Sequence, residues 1–539
     1  MKNNLFKSIS WMVVILIGGL QSCTKDLNQA PPNSATNAIA FSTSLGYKEA
    51  LVKVYGAQSL TGNTDAGGSD LAGIDAGTGD FLRLFYNSEE LTTDEAAVTW
   101  GDPGLPDFHA IGWTASNVML NGLYNRDMYV ISVANAFIRE SSDASIAARG
   151  FTGATADSIK HYRAEARYIR AFQYWVMMDL FANPPFVDEN SPIGKFYPKQ
   201  IKRADLFAWL ETELKAIDPL MVTAKQNEYG RADQAAVWAL LSRMYLNAEV
   251  YLGTGKGRYT DAVVYSLKVI NAGYSLHPKY SNLFMGDNNK NNPEVILSVN
   301  FDGTNGQTWA GTTYLCNAAI SGDMGPAKYG VPSGGWGGIR TTQNLPLLFG
   351  DYGTTYSTTC PDKRALFLGS KRNMDDIGTY TDGLATIKWN NINSDGTTPS
   401  STNGVWSSID FPLFRLAEQY LIYAEAVLRG GTGGTTAQAI AYINLLRERA
   451  YGHPGVAGTG DITSMSLQDV LDERGRELYW ECFRRSDLVR YGLFNSSSYL
   501  WPYKKGVLKG QGFDAHYNIF PLPTSDLTAN TNLIQNPGY

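Results

Sequence analysis

Residues 157–181 read DSIKHYRAEARYIRAFQYWVMMDLF, and this stretch decides the fold class. Small and apolar side chains recur along it every three or four residues, at Ala164, Tyr168, Ala171, Trp175 and Met178. This spacing predicts a helix with one apolar face. The sequence Asn-Pro-Pro at 183–185 predicts where the helix ends, because proline has no amide proton and clashes with the preceding turn.

Similar periodic stretches follow, and most of them come in pairs, at 231–252, 259–272, 414–428 and 436–450. Three of the predicted helices open on related sequences: RAEARY at 163–168, RADQAA at 231–236 and RLAEQY at 415–420. These copies predict helical hairpins of the tetratricopeptide type, and an ordinary helical domain with alanine-rich packing is the alternative.

Two other stretches, 61–80 and 301–410, are rich in Gly, Ser, Thr, Asn and Asp and have no helical period. They predict loops with short strands. The predicted fold is therefore mainly α-helical, with tetratricopeptide-like hairpins that support an irregular, loop-rich half.

The amino terminus carries the pattern of an exported protein. Lys2 and Lys7 precede an apolar run of ten residues, 11–20, followed by Leu-Gln-Ser-Cys at 20–23. A spanning helix needs about 20 apolar residues, so the run predicts a signal peptide and not a membrane anchor. The sequence before Cys23 resembles the bacterial lipobox and predicts that Cys23 is lipidated; a plain signal peptide that contains a cysteine is the alternative.

We divide the chain into four predicted segments. They are a signal peptide at 1–22, the lipidated Cys23 with a flexible tether at 23–40, an N-terminal helical region at 41–300, and a C-terminal region at 301–539 that carries the site loops and the final helices.

Composition excludes several functions. The net charge is −6 and no basic run follows the signal peptide, so we expect no nucleic-acid partner. Cys316, Cys360 and Cys482 are scattered, which predicts neither a disulfide framework nor a zinc site. Residues 287–292, DNNKNN, could offer oxygen ligands to Ca²⁺ at Asp287, but they lack the glycine and glutamate of an EF-hand, so we expect a solvated loop and no cofactor.

A secreted glycoside hydrolase is the enzyme alternative, because it needs two neighbouring carboxylates. Glu89, Glu90, Asp94 and Glu95 lie close to Trp100 in the sequence, but such a charged run predicts solvated surface. The five histidines form no His-Glu-x-x-His motif, which disfavours a metalloprotease. We therefore predict a binding protein and not an enzyme.

Several aromatic residues stand in loop-like surroundings that suit a sugar site. A neutral oligosaccharide requires flat aromatic platforms and a few hydrogen-bonding groups. Trp336 lies within SGGWGG at 333–338, Trp100 precedes the turn signal Gly-Asp-Pro-Gly, and Tyr314 lies in GTTYLC at 311–316. Taken singly, each of these rings could instead pack in the core.

Several landmarks occur in order along the chain: RAEARYIRA at 163–171, GRAD at 230–233, PLFRLAE at 412–418, RRSDLVRYG at 484–492 and QNPGY at 535–539. Together with the lipobox, they resemble the SusD/RagB family of starch-binding outer-membrane lipoproteins of Bacteroidetes. The resemblance implies four tetratricopeptide-like helix pairs, a lipid-anchored position at the outer-membrane surface, and a SusC-like TonB-dependent barrel as partner. Thr24-Lys25-Asp26 looks like a short surface-export signal.

The resemblance also implies a site. Trp100, Tyr314 and Trp336 fall where starch-binding members carry an aromatic arc that holds α-glucan, and Asp75 and Arg83 match polar contacts to sugar hydroxyls. Those members place an asparagine shortly after the first Trp, whereas residues 101–106 contain none. We expect capture of α-glucan with a Kd in the millimolar to high-micromolar range; another polysaccharide, or a peptide, is the alternative ligand.

Overall fold

Helices dominate the described residues as far as residue 300. The structure is a computed structural model that describes residues 37–64, 66–401 and 404–539, so the predicted signal peptide, Cys23 and the tether as far as residue 36 lie outside the described residues. The elements as far as residue 300 are α1 Asn37–Ala40, α2 Ser44–Ser59, α3 Phe81–Glu89, β1 Ala97–Val98, α4 Pro106–Ala110, α5 Val118–Glu140, α6 Asp143–Ala148, α7 Gly153–Phe181, α8 Arg203–Ile217, α9 Gln234–Leu246, α10 Ala248–Leu252, α11 Tyr259–Ile270 and β2 Val295–Val299.

The second part mixes short strands and helices before it returns to long helices. Its elements are α12 Gly311–Ala319, β3 Ile339–Arg340, α13 Asn344–Leu347, α14 Tyr356–Thr359, β4 Phe367–Leu368, β5 Ala385–Thr386, β6 Phe411–Arg415, α15 Leu416–Leu428, α16 Thr436–Ala450, α17 Leu467–Leu478, α18 Arg484–Arg490 and α19 Thr524–Ala529.

Residues 157–181 lie in α7, which is buried on almost every side from Ala164 to Phe181. The helix packs between α5 and α8. Two ion pairs fix α8 against it, because Glu213 accepts hydrogen bonds from Arg167 at 2.6 Å and from Arg170 at 2.7 Å. A helix without a solvated face is a core element, so α7 organises the N-terminal helices.

The predicted hairpins are present. Helix α9 packs on α11, α11 on α15, and α15 on both α16 and α17. The landmark at 230–233 joins two of the helices: the Asp233 side chain caps the start of α9, and Arg231 donates to Glu165 on α7 at 3.0 Å. The mainly helical fold class is confirmed.

The sequence at 415–420, which is predicted to open a helix, begins in a strand. Residues Phe411–Arg415 form strand β6, which pairs antiparallel with β2. Arg415 therefore belongs to the strand, with α15 starting at the next residue. The strand was not predicted because β6 is buried on both faces. Its sequence therefore lacks the alternation of apolar and polar residues that marks a half-exposed strand.

The loop-rich part is held by very short ladders. β1 pairs antiparallel with β3, and β4 pairs antiparallel with β5. The described residues from 51 onward form one unit, and those from 37 to 50 belong to another, in which the rings of Phe41 and Tyr47 pack 4.9 Å apart. The four segments drawn from the sequence stay a prediction. None of the described helices is long and apolar enough to cross a bilayer.

Candidate functional site

The β1–β3 ladder brings together two loops that lie more than 200 residues apart in the sequence. Val98 pairs with Ile339, and the Thr99 amide continues the ladder by donating to the Gly338 carbonyl at 2.9 Å. Trp100 leaves one end of this ladder, and Trp336 enters at the same end. Their half-buried rings lie 6.4 Å apart, centroid to centroid, with their planes inclined by 50°.

The Trp336 loop is anchored on the end of α12. The amide of Trp336 donates to the Asn317 carbonyl at 2.7 Å, and the Gly337 amide donates to the Ile320 carbonyl at 2.9 Å. The final turn of a helix leaves carbonyls without intrahelical donors, and this loop supplies two amides there. The position of Trp336 is therefore fixed by backbone hydrogen bonds.

Tyr314, on α12, lies next to Trp100 but is not displayed. Its ring centroid is 6.1 Å from that of Trp100, the Arg83 guanidinium lies 4.2 Å above the ring, and the residue is 0% exposed. The hydroxyl donates to Asn87 Oδ1 at 2.7 Å. Burial raises the pKa of Tyr314 well above its ordinary value, so the hydroxyl stays a neutral donor. In this structure Tyr314 supports Arg83 and Trp100 and offers no open ring face.

The two polar residues predicted for the site, Asp75 and Arg83, lie just before α3 and in its first turn. Asp80 caps the helix by accepting from the Arg83 amide at 2.7 Å, and Arg83 Nη1 donates to the Gly77 carbonyl at 2.8 Å. Asp75 is exposed, and its Oδ1 accepts from the Gly77 amide at 2.8 Å. A continuous set of contacts thus joins all five residues predicted for the site.

Trp309 lies next to Trp336 but was not among the residues predicted for the site. This residue is 39% exposed, and its ring centroid lies 6.3 Å from that of Trp336 and 4.3 Å from that of the buried Trp406. Trp309 stands in QTWAG at 307–311, a polar and glycine-containing context like the one that singled out Trp336. The signal was therefore present in the sequence. The departure noted at 101–106 leaves Asp102 exposed in the turn after Trp100.

The acidic run near Trp100 is not solvated, so that prediction is wrong. Glu89, Glu90, Asp94 and Glu95 are all buried. Asp94 accepts two hydrogen bonds from Arg484, each at 2.7 Å.

The neighbouring glutamates bind backbone amides. Glu90 accepts from the Cys482 amide at 2.6 Å, and Glu95 accepts from the Trp480 amide at 3.0 Å. Burial raises the pKa of Glu95 to about 7. These carboxyl groups therefore join β1 and α3 to the segment before α18, and they do not form an open carboxylate pair.

The described residues contain no group of three His, Cys, Asp or Glu side chains arranged to hold a metal ion. Both oxygens of Asp287 accept hydrogen bonds from Ser394, at 2.8 and 2.7 Å. The expectation of no cofactor, with Ca²⁺ at Asp287 as the alternative, stays a prediction. Cys316, Cys360 and Cys482 are buried free thiols.

The fold and the site define a helical-repeat protein with an aromatic site in its loop-rich half. The family model for the SusD family matches residues 361–539. The chain is 33% identical to the starch-binding protein SusD of Bacteroides thetaiotaomicron, with 98% of each chain covered. A SusD-like protein of Bacteroides ovatus is 26% identical, with 72% of this chain and 68% of that protein covered. The chain belongs to the SusD family.

Solved structures share the fold. A SusD homologue from Bacteroides thetaiotaomicron superposes with a TM-score of 0.73 at 17% identity, covering 94% of this chain and 99% of the other. A laminarin-binding SusD-like protein gives 0.68 at 22% identity, with 92% and 99% covered. Surface glycan-binding protein A from Bacteroides thetaiotaomicron, in complex with laminarihexaose, gives 0.66 at 20% identity, with 91% and 98% covered.

Family membership has two direct consequences. Members of the family are binding proteins without catalytic activity, and the chain is a binding protein and not an enzyme. SusD homologues are lipoproteins of the outer-membrane surface.

Proposed function

We propose that this protein captures starch-derived α-glucan at the cell surface and passes it, uncleaved, to a TonB-dependent outer-membrane transporter. The observation that carries the proposal is the pair of half-buried indoles, Trp100 and Trp336, held 6.4 Å apart in the same set of contacts as the exposed Asp75 and the largely buried Arg83. Rings of this kind cover the C–H faces of sugars, while the charged side chains bind hydroxyl groups.

The inclination of the rings favours a curved ligand. The planes of Trp100 and Trp336 meet at 50°, so two successive sugars stacked on them cannot lie in one flat ribbon. An α-1,4-linked glucan curves along its length, whereas a β-1,4-linked chain is flat. The 33% identity to a starch-binding protein across nearly the whole chain supports the same ligand.

The expected affinity is low. Each stacked ring hides some tens of Å², which is worth about 1 kcal/mol at ~25 cal/mol per Å². A few hydrogen bonds add about 1 kcal/mol each, and association costs offset part of the sum. A Kd in the millimolar to high-micromolar range follows, which suits a protein that must release its ligand to a transporter.

Affinity electrophoresis tests the ligand. The chain without residues 1–23 is run in gels that contain amylopectin, pullulan, dextran, laminarin or no glycan, beside Trp336→Ala and Tyr197→Ala. Tyr197 is an exposed aromatic residue outside the site and serves as the matched control. Retardation by amylopectin and pullulan alone, lost only in Trp336→Ala, supports α-glucan capture. Retardation by laminarin alone points to a β-glucan. Unchanged mobility in every gel contradicts α-glucan capture and leaves other glycans, and then peptides, to be tested.

Anchoring and delivery need a second experiment. We propose that the lipid on Cys23 is the only membrane attachment. Cys23→Ala should leave the outer-membrane fraction, and the unsubstituted protein should co-purify with a TonB-dependent barrel from detergent extracts. Retention of Cys23→Ala in the membrane contradicts the lipid anchor, and purification without a barrel contradicts delivery through a stable complex.

A further inference from the structure

We propose that Trp309 is a third open platform that extends the aromatic row past Trp336, and that it makes the site prefer longer glucan chains. This inference rests on the proposed function and concerns the same site. It assigns to Trp309 the platform role that the family resemblance implies for Tyr314.

The exposed fractions of the two rings differ sharply. Tyr314 is 0% exposed, with the Arg83 guanidinium above its ring, and a sugar cannot stack on it without displacing protein atoms. Trp309 is 39% exposed, so part of its ring already faces solvent. Open apolar rings mark a binding surface when they form one contiguous group rimmed by polar residues, and Trp309 extends such a group.

Trp309 continues the row with the same spacing. The centroid separations are 6.4 Å from Trp100 to Trp336 and 6.3 Å from Trp336 to Trp309, and the interplanar angles are 50° and 42°. Two steps of nearly equal length and inclination therefore link the three indoles. The regular step makes Trp309 a continuation of one surface.

The Trp309 ring is held in place before any ligand arrives. Trp406, which is 7% exposed, packs against it edge to face, with the centroids 4.3 Å apart and the planes at 61°. Aromatic pairs in this geometry are favourable beyond the area that they bury. A ring that is already fixed loses little conformational entropy when a sugar stacks on it.

A hydrogen-bonding group stands beside the third platform. A Cβ placed on Gly77 would lie 3.1 Å from the Trp309 Cβ and 3.1 Å from Asp75 Oδ1. The two side chains therefore flank one glycine. A sugar stacked on Trp309 lies within reach of the exposed Asp75 carboxylate, which can accept from its hydroxyl groups.

The test compares two chain lengths. Isothermal titration of the full chain, solubilised in detergent, measures the Kd of maltotriose and of maltoheptaose for the unsubstituted protein, Trp309→Ala, Trp309→Phe and Tyr197→Ala. A trisaccharide covers two neighbouring rings and can still use Trp100 and Trp336 when Trp309 is removed, whereas a heptasaccharide reaches all three rings. Trp309→Ala should weaken maltoheptaose about five-fold, as expected for one platform, and leave maltotriose unchanged. Trp309→Phe keeps a flat ring and should recover most of the loss.

The outcomes separate the two proposals. Equal weakening of both sugars by Trp309→Ala, or weakening of neither, overturns the third platform and leaves α-glucan capture standing. A loss that Trp309→Phe does not reduce also overturns it, because any flat ring should serve. If the unsubstituted protein binds neither oligosaccharide, the proposed function fails, and the third platform fails with it.

Discussion

The indole of Trp100 lies against the α-carbon of Gly338, so close that a methyl group on that glycine would overlap the indole Nε1. Gly338 also has a φ of +123°, which residues with a side chain rarely adopt. The same glycine accepts the Thr99 amide and so closes the β1–β3 ladder. Ring position, backbone conformation and strand pairing therefore depend on the absence of one side chain.

Gly338→Ala should displace Trp100 and weaken α-glucan binding about as much as removal of one platform, roughly five-fold. It should also lower the free energy of unfolding by about 1–3 kcal/mol through backbone strain. Gly334→Ala is the matched control, because Gly334 has a similar φ of +117° but no atom within 4 Å of an added Cβ. The control should lose stability and keep binding; equal binding loss in both variants would show that strain alone is responsible.

Tyr314→Phe tests whether this ring supports the site without touching sugar. The substitution removes the hydroxyl that donates to Asn87 Oδ1 at 2.7 Å and leaves a buried acceptor unpaired. The free energy of unfolding should fall by about 1–3 kcal/mol, measured by urea denaturation. The Kd for maltoheptaose should change by less than about two-fold, because the hydroxyl faces protein. A large binding loss at unchanged stability would show that the hydroxyl contacts the ligand.

The helices were predictable because their signal is local. The bounds predicted for 436–450 are those of α16, and the predicted helix at 157–181 lies within α7 and ends where it ends. The burial of Tyr314 was not predictable in the same way. It depends on Arg83 and on the packing of α12 against α3, and more than 200 residues separate these elements in the sequence.

The prediction that the acidic run is solvated is wrong for the same reason, because its burial depends on residues far away in the sequence. Glu90 and Asp94 look like solvated surface until Arg484 and the backbone amide of Cys482, almost 400 residues further on, are brought to them. A single sequence carries no measure of that proximity. Trp309 is a different case, because its local sequence is like that of Trp336. Only the structure shows that its ring lies next to the ring of Trp336.

Asp80 should make stability depend on pH. Its Oδ1 caps α3, but its Oδ2 is buried without a hydrogen-bond partner, and burial raises the pKa of the carboxyl to about 7. Between pH 4 and 7 the folded state therefore binds more protons at this group than the unfolded state does. The contribution of Asp80 to the free energy of unfolding is fully present below about pH 4 and is lost as the pH rises to about 7.

Asp80→Asn keeps the capping oxygen and removes the titration. Urea denaturation at pH 5 and pH 8 should show a smaller loss of stability in Asp80→Asn than in the unsubstituted protein, with a difference on the order of a few kcal/mol. Glu95 and Asp410, whose pKa values burial also raises to about 7, should preserve part of the trend in the variant. The same loss in both proteins would show that Asp80 stays ionised throughout this range.

Arg415 should be among the most sensitive positions for stability. Its guanidinium is buried and donates to Glu294 at 2.9 Å, to Glu477 at 2.6 Å and to Glu481 at 2.7 Å. Removing the cation leaves buried carboxylates that have lost an ion-pair partner, and breaking such a pair costs about 3–5 kcal/mol. The pKa of Glu477, despite the raising effect of burial, is held at about 2 by Arg449, Arg415 and Arg364.

Arg415→Met should therefore lower the free energy of unfolding by about 3–5 kcal/mol at pH 7. The control is Arg372→Met, since Arg372 pairs with an exposed Asp351 and such surface pairs contribute about 0–1 kcal/mol. The sign of the pH effect is a second check. A carboxyl whose folded pKa is depressed stabilises the fold above its unfolded pKa, so the unsubstituted protein should lose this contribution as the pH falls from about 4 towards 2. In Arg415→Met part of that contribution is already gone, so its acid-induced loss should be smaller. Equal acid-induced losses of stability in the two proteins would show that Arg449 and Arg364, and not Arg415, hold down the pKa of Glu477.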